Sequence, residues 1–108
     1  MSKFMSASLC VALLAVSVAA NAEGQVITND LSKCRSGPST LVQINGVKTG
    51  TGKIRVQSYR ATASEWLTKG RWLTRVEVPA RAGAMTVCVP LPEAGHYGIA
   101  VRHDVNGN

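Results

Sequence analysis

The last five residues of the chain, Asp104 to Asn108, have the residue types and spacing with which a calcium-binding loop begins. Asp104, Asn106 and Asn108 stand at alternate positions, so their side-chain oxygens can turn toward one centre, and Ca²⁺ is a hard cation that prefers oxygen. Three such side chains fall short of the roughly 6 to 8 ligands that Ca²⁺ takes. The alternative is a polar turn in which Asp and Asn bond to nearby backbone. We expect that turn here, and calcium binding only in a longer parent chain.

His96 and His103 could in principle hold a transition metal or act as a general base. They lie seven positions apart on one extended segment, so their side chains point to opposite faces and do not share an ion. His103 and Asp104 do not form a catalytic pair, because adjacent strand residues diverge and no nucleophilic Ser or Cys accompanies them. We predict hydrogen-bonded edge histidines and no enzymatic activity.

Trp66 and Trp72 are two large rings with Arg71 between them in the sequence. A platform of such rings beside a guanidinium group suits a sugar or an anionic ligand. The alternative is that the rings close the open end of a small core, since the chain has only one Phe and two Tyr besides. We expect the core role and keep Trp66, Trp72 and Arg71 as the candidate ligand site.

The first 22 residues show the three zones of a secretory signal peptide. Lys3 lies in a basic start, an apolar run follows at 9–18, and Ala20-Asn21-Ala22 precedes the cleavage site. The apolar run is shorter than the roughly 20 residues that span a membrane, and Cys10 within it has no lipobox around it. We predict cleavage after Ala22, a mature chain without a membrane span, and a periplasmic or secreted location.

Cleavage leaves 86 residues, enough for one small domain whose core would be marginal without a covalent link. Cys34 and Cys88 remain in this mature part, and the compartment outside the cytoplasm is oxidising. We predict a disulfide between them. The alternative is two small buried thiols that never meet.

The mature chain is strongly basic, with eleven Lys and Arg against six Asp and Glu after Lys3 is removed, a net charge of +5. Such a charge favours anionic partners, so an envelope polyanion or glycan is one expected ligand. The cations are scattered along the chain and form no basic run, so we expect no nucleic-acid partner. Solvated charges that keep the domain soluble are the simpler explanation.

Apolar and polar residues alternate with period two through most of the mature chain, which predicts an all-β domain. We expect the segments 40–47 and 53–59 to form a hairpin across 48–52. One or two helical turns within 64–70 should carry Trp66 and Leu67 onto the sheet. In the last strand, Gly98 and Ala100 are small enough to lie under another element. A leader at 23–38, loose over 23–31 and containing Cys34, precedes a sandwich domain at 39–108. The predicted strands are 40–47, 53–59, 71–79, 85–89 and 96–104.

The pieces "KIRVQSY", "WL", "RVEVPARAG", "VPLPEAGHYGIAV" and above all "HDVNGN" resemble, in this order, an exported bacterial family catalogued as domain of unknown function 2141. The resemblance covers Leu41 to Asn108. It implies a small antiparallel β-sandwich of immunoglobulin-like or transthyretin-like shape, with no assigned activity. In that family the last motif continues into Gly, Lys and a further Asp, so the resemblance also implies a sandwich that is incomplete at its C-terminus.

These observations predict a non-enzymatic envelope binding or structural module, stabilised by calcium only when full length. The alternative function is recognition of anionic glycans or other polyanions in the periplasm.

Processing of the signal peptide gives the first test. When the full chain is expressed in bacteria, mass spectrometry of the exported protein should find a chain that begins at Glu23. A mass that still includes residues 1–22 would show that the first element has been misassigned.

Overall fold

The computed structural model describes residues 24–107 and consists mainly of strands in two packed sheets. The predicted signal peptide at 1–22, Glu23 and Asn108 lie outside the described residues. Between the first two strands lies a short 3₁₀ helix, Leu31–Arg35. The strands of the described part are β1 Gln25–Ile27, β2 Ser39–Val47, β3 Lys53–Arg60, β4 Thr74–Pro79, β5 Gly83–Pro90 and β6 Tyr97–Asp104.

The larger sheet has the strand order β1-β4-β3-β6 and the smaller one pairs β2 with β5. The prediction of an all-β sandwich is therefore confirmed. The pairs within β4-β3-β6 and the β2-β5 pair are antiparallel, whereas β1 runs parallel to β4. Prolines end two strands as expected, Pro79 in β4 and Pro90 in β5, because proline cannot donate to an interior ladder. Among residues 24–107, no helix is long and apolar enough to cross a membrane.

The predicted hairpin of the first two long strands is wrong. β2 pairs with β5, whereas β3 pairs with β4 and β6 in the other sheet. Alternation shows that each strand has one buried face, but it does not show which strand lies beside it. Packed sheets are about 10 Å apart, and five extended residues reach roughly 16 Å. The connection at 48–52 is therefore long enough to cross between the sheets.

The core lies between the sheets and consists mainly of branched aliphatic side chains. Alternate residues of each strand point inward, so Ile54 and Val56 of β3 meet Val87 and Val89 of β5. Ser58 is the buried polar residue of this layer, and its Oγ accepts a hydrogen bond from the Thr74 N–H at 3.2 Å. The group is thus satisfied, as buried polar groups must be.

The leader is attached to both sheets, contrary to the expectation of a loose segment. Its β1 pairs with β4 over Gln25 to Ile27. Asn29 then reaches the free edge of β5, where Nδ2 donates to the Thr86 carbonyl at 3.0 Å and Oδ1 accepts from the Cys88 N–H at 2.9 Å. This amide replaces a missing strand, because it satisfies the donor and the acceptor that an edge exposes.

The predicted disulfide between Cys34 and Cys88 is confirmed, with an S–S distance of 2.03 Å and a Cα–Cα distance of 5.8 Å. Cys88 points away from the core-facing valines of β5, as the alternation predicted. It is nevertheless only 1% exposed, because the bond holds the 3₁₀ helix against this side of the strand. Asp30 caps that helix by accepting from the Ser32 N–H and hydroxyl, and these bonds lower the pKa of its carboxyl.

Loss of the disulfide should destabilise the fold by about 4 kcal/mol, because the bond closes a loop with a sequence separation of 54. Urea unfolding of Cys34→Ser/Cys88→Ser, compared with the native chain, measures this. Reducing agent should lower the native chain to the same stability and leave the double variant unchanged. Equal unfolding free energies of native and variant chains would contradict the role given to the bond.

Candidate functional site

The outer face is the side of the four-stranded sheet that points away from the two-stranded sheet. Its members follow from the register, because side chains of paired residues lie on the same side of a sheet. Arg55 pairs with Glu77 and Arg102, and Gln57 pairs with Arg75 and Ala100. The outer face comprises Val26 of β1, Lys53, Arg55, Gln57 and Tyr59 of β3, Arg75 and Glu77 of β4, and Gly98, Ala100, Arg102 and Asp104 of β6.

The connection at 61–73 folds over one end of the outer face. Its Trp66 lies on Gly98, where an added Cβ would overlap the indole ring. The same ring meets Tyr59 edge-to-face, with centroids 5.4 Å apart and planes at 78°. The sequence prediction that Gly98 lies beneath another element is thus confirmed.

The predicted helical turns in this connection are reduced to hydrogen-bonded turns. The Trp66 N–H donates to the Thr62 carbonyl at 2.9 Å, which is a helical spacing, but no regular helix follows among the described residues. Leu67 has a φ of 59°, a left-handed conformation that is uncommon for a side chain of this size. This reversal ends the turn and leaves Leu67 58% exposed.

The residues of the predicted ligand site are separated by the fold. Trp72 is 7% exposed and the Arg75 guanidinium lies 4.0 Å from its ring centre, whereas Trp66 is 41% exposed. Arg71 is exposed in the connection, where its N–H donates to the Thr68 carbonyl at 3.0 Å. The structure thus places Trp66 on the outer face and covers Trp72 with a cation. A ligand role for Trp66, Trp72 and Arg71 stays a prediction.

A directed chain of hydrogen bonds crosses the outer face. Arg75 Nε donates to Gln57 Oε1 at 2.6 Å, and Gln57 Nε2 donates to the Tyr59 hydroxyl oxygen at 2.6 Å. Because a guanidinium can only donate, the Gln57 amide oxygen must face Arg75 and its nitrogen must face Tyr59. The Tyr59 oxygen is therefore an acceptor in this chain, and its own O–H remains to donate elsewhere.

The charges of the outer face are unequally neutralised. Arg55 Nε lies 3.0 Å from Glu77 and its Nη2 lies 3.9 Å from Asp104. Lys53 Nζ is 3.7 Å from Glu77. Arg102 is exposed and has no ion-pair partner among residues 24–107. The outer face thus carries an excess of positive charge at Arg102.

A groove of about 390 Å³ lies between β6 and the overhanging connection. The sequence analysis did not identify this groove. One signal was present, namely that the solvent-facing positions of β3 and β6 carry long polar side chains such as Arg55, Gln57 and Arg102. Only strand pairing shows that they share one wall. The residues that line the groove include Arg55, Gln57, Tyr59, Leu67 and Arg102.

The described part of the predicted calcium motif forms a polar turn. Asp104 Oδ1 accepts from the Gly107 N–H at 3.1 Å, and Gly107 has a φ of 73°. Asn106 is exposed, and Asn108 lies outside the described residues. Within residues 24–107, no group of three or more His, Cys, Asp or Glu side chains could hold a metal ion. The Asp104 carboxylate is instead shared between Gly107 and Arg55, so calcium binding stays a prediction.

His103 is hydrogen-bonded on the edge strand β6, as predicted. Its Nε2 lies 2.8 Å from the Thr51 carbonyl oxygen. A carbonyl only accepts, so Nε2 carries the proton in this contact. His96 is exposed, and its carbonyl accepts from the Ala61 N–H at 3.4 Å.

Gly98→Ala tests the contact that positions the overhanging connection. The added Cβ should displace the Trp66 ring, shift the tryptophan emission to longer wavelength and destabilise the fold by about 1 to 3 kcal/mol through overpacking. Gly95→Ala is the matched control, because a Cβ there meets Tyr97 at an ordinary 3.7 Å. Equal behaviour of the two variants would argue against this placement of Trp66.

Comparison of the sequence with known proteins assigns the chain to a family. The sequence model of a family described as "Uncharacterized protein conserved in bacteria (DUF2141)" matches residues 42–108, from within β2 to the last residue. No curated protein and no solved structure matches the chain. Because the match covers more than half of the chain, the protein belongs to this family of uncharacterised bacterial proteins.

Proposed function

We propose that this protein is an exported, non-enzymatic binding or structural module of the bacterial envelope. The observation that carries the proposal is the Cys34–Cys88 disulfide, which joins the leader to the sandwich. Structural disulfides of this kind persist in oxidising compartments and are rare in the cytoplasm. The signal-like first 22 residues support the same location.

The engagement of the polar groups supports a binding role over catalysis. The carboxylates of Glu77 and Asp104 both lie beside the Arg55 guanidinium. A general base needs an available lone pair or charge within reach of a substrate proton. These groups are instead committed to holding strands and connections in place.

A second candidate function is recognition of an anionic glycan or another polyanion of the envelope. Two observations favour it, namely the half-exposed Trp66 on the outer face and the unneutralised charge of Arg102. The net charge of +5 after the predicted cleavage adds a long-range attraction for such ligands.

Chromatography on immobilised heparin separates the two candidates. If the protein recognises a glycan, it should elute from heparin at higher salt than from a sulfonate exchanger of matched charge density, because specific contacts are screened less than diffuse attraction. Elution at the same salt from both columns would leave only weak ion exchange. Cell fractionation tests the location separately, and recovery of the protein in the cytoplasm with free thiols would contradict the proposal of export.

A further inference from the structure

We propose that the groove between Arg55 and Arg102 on the outer face binds the carboxylate or sulfate group of an acidic sugar. This inference rests on the proposed binding role and names the ligand class and the residues. It moves the site away from Trp72 and Arg71, the residues that the sequence indicated, onto the paired strands β3 and β6.

The strand register brings two arginines of the groove together. Arg55 and Arg102 are direct partners across the antiparallel β3–β6 pair. Like charges at directly opposite positions destabilise a sheet, since their Cβ atoms are only about 5 Å apart. Glu77 and Asp104 offset the charge of Arg55, whereas Arg102 forms no ion pair with a carboxylate of the described chain. An oxyanion between the two guanidinium groups would remove the remaining repulsion.

The Tyr59 hydroxyl is also a hydrogen-bond donor in the groove. The Tyr59 oxygen accepts from Gln57, so its O–H is left to donate, and Tyr59 lines the groove although it is only 5% exposed. Arginine side chains also only donate. The arginines and Tyr59 therefore present hydrogen-bond donors. An oxyanion accepts from several donors, whereas the hydroxyl groups of a neutral sugar need both donors and acceptors.

The side chain of Leu67 forms an apolar wall of the groove. Leu67 borders the groove, is 58% exposed and has a left-handed backbone conformation. Residues in such conformations are often found at ligand sites, where the surrounding structure keeps them in place. An exposed aliphatic side chain beside a row of donors matches the C–H side of a sugar ring that carries an acidic substituent.

The size and the lining of the groove limit the class of ligand that it can bind. A volume of about 390 Å³ lies at the small end of the range for ligand sites and suits one or two sugar rings. A nucleobase would need an aromatic face on which to stack. Neither Trp66 nor Trp72 lines the groove, and Tyr59, the aromatic side chain that does, is only 5% exposed. The geometry thus favours an acidic sugar over a nucleotide.

Calorimetric titration with oligogalacturonate at about 0.15 M salt tests the site, since long-range attraction is largely screened there. Arg102→Ala should weaken binding about tenfold or more, as expected for loss of a charge-assisted contact. Arg81→Ala is the matched control, because it removes the same charge from an exposed residue outside the groove and should leave binding within about twofold. Arg102→Lys should also weaken binding, because lysine keeps the charge but lacks the planar fork.

The outcomes separate this site from the broader proposals. Loss in Arg102→Ala with normal binding by Arg81→Ala supports the site, and a sulfated oligosaccharide in the same titration identifies which oxyanion is preferred. Equal weakening by both alanine variants overturns the site but leaves polyanion attraction intact. No binding of either acidic oligosaccharide by the native chain overturns the site, while the proposal of an exported module is judged by fractionation alone. Circular dichroism of each variant confirms that it is folded.

Discussion

The attachment of the leader to β5 is the constraint on which the rest of the structure depends. A two-stranded sheet is marginal in water when nothing else supports it, and in the described chain the smaller sheet contains only β2 and β5. Asn29 satisfies the free edge of β5 and the Cys34–Cys88 bond fixes the 3₁₀ helix against the same strand. Since β1 belongs to the other sheet, the leader ties the two layers together around the valine core.

The packing of the two sheets also determines which side chains lie on the outer face. Because Ile54, Val56 and Ser58 of β3 face the core, Arg55, Gln57 and Tyr59 lie on the opposite side of the strand. Arg55 and Gln57 are partly exposed there, whereas Tyr59 is covered by the connection that carries Trp66. The absence of a side chain at Gly98 lets the Trp66 ring approach β6 closely and pack against Tyr59. The sheet thus carries Arg55 and Arg102, and the folded connection places Leu67 beside them. Binding sites are commonly built in this way, with connecting segments positioned by a scaffold.

Several features of the fold follow from local patterns in the sequence. Alternation places the strands within a few residues, since the predicted segments 40–47 and 96–104 correspond to Ser39–Val47 and Tyr97–Asp104. The predicted segment 71–79 begins later, at Thr74, because Trp72 and Leu73 belong to the connection that crosses the outer face. The predicted pairing of the first two strands was wrong, and the strand β1 was missed because three residues carry too little periodicity to detect.

The sequence by itself determined the five longer strands, the buried face of each of them, the cysteine pair and the presence of small residues in the last strand that another element could cover. The strands and their faces follow from residues that are close together in the chain. The disulfide follows because only two cysteines remain after the predicted cleavage. Only the tertiary structure decided which strands are partners, that Asn29 completes the edge of β5, and that Arg55 and Arg102 lie side by side. These contacts join residues far apart in sequence. Their pairing depends on burying the whole core at once, which no local pattern records.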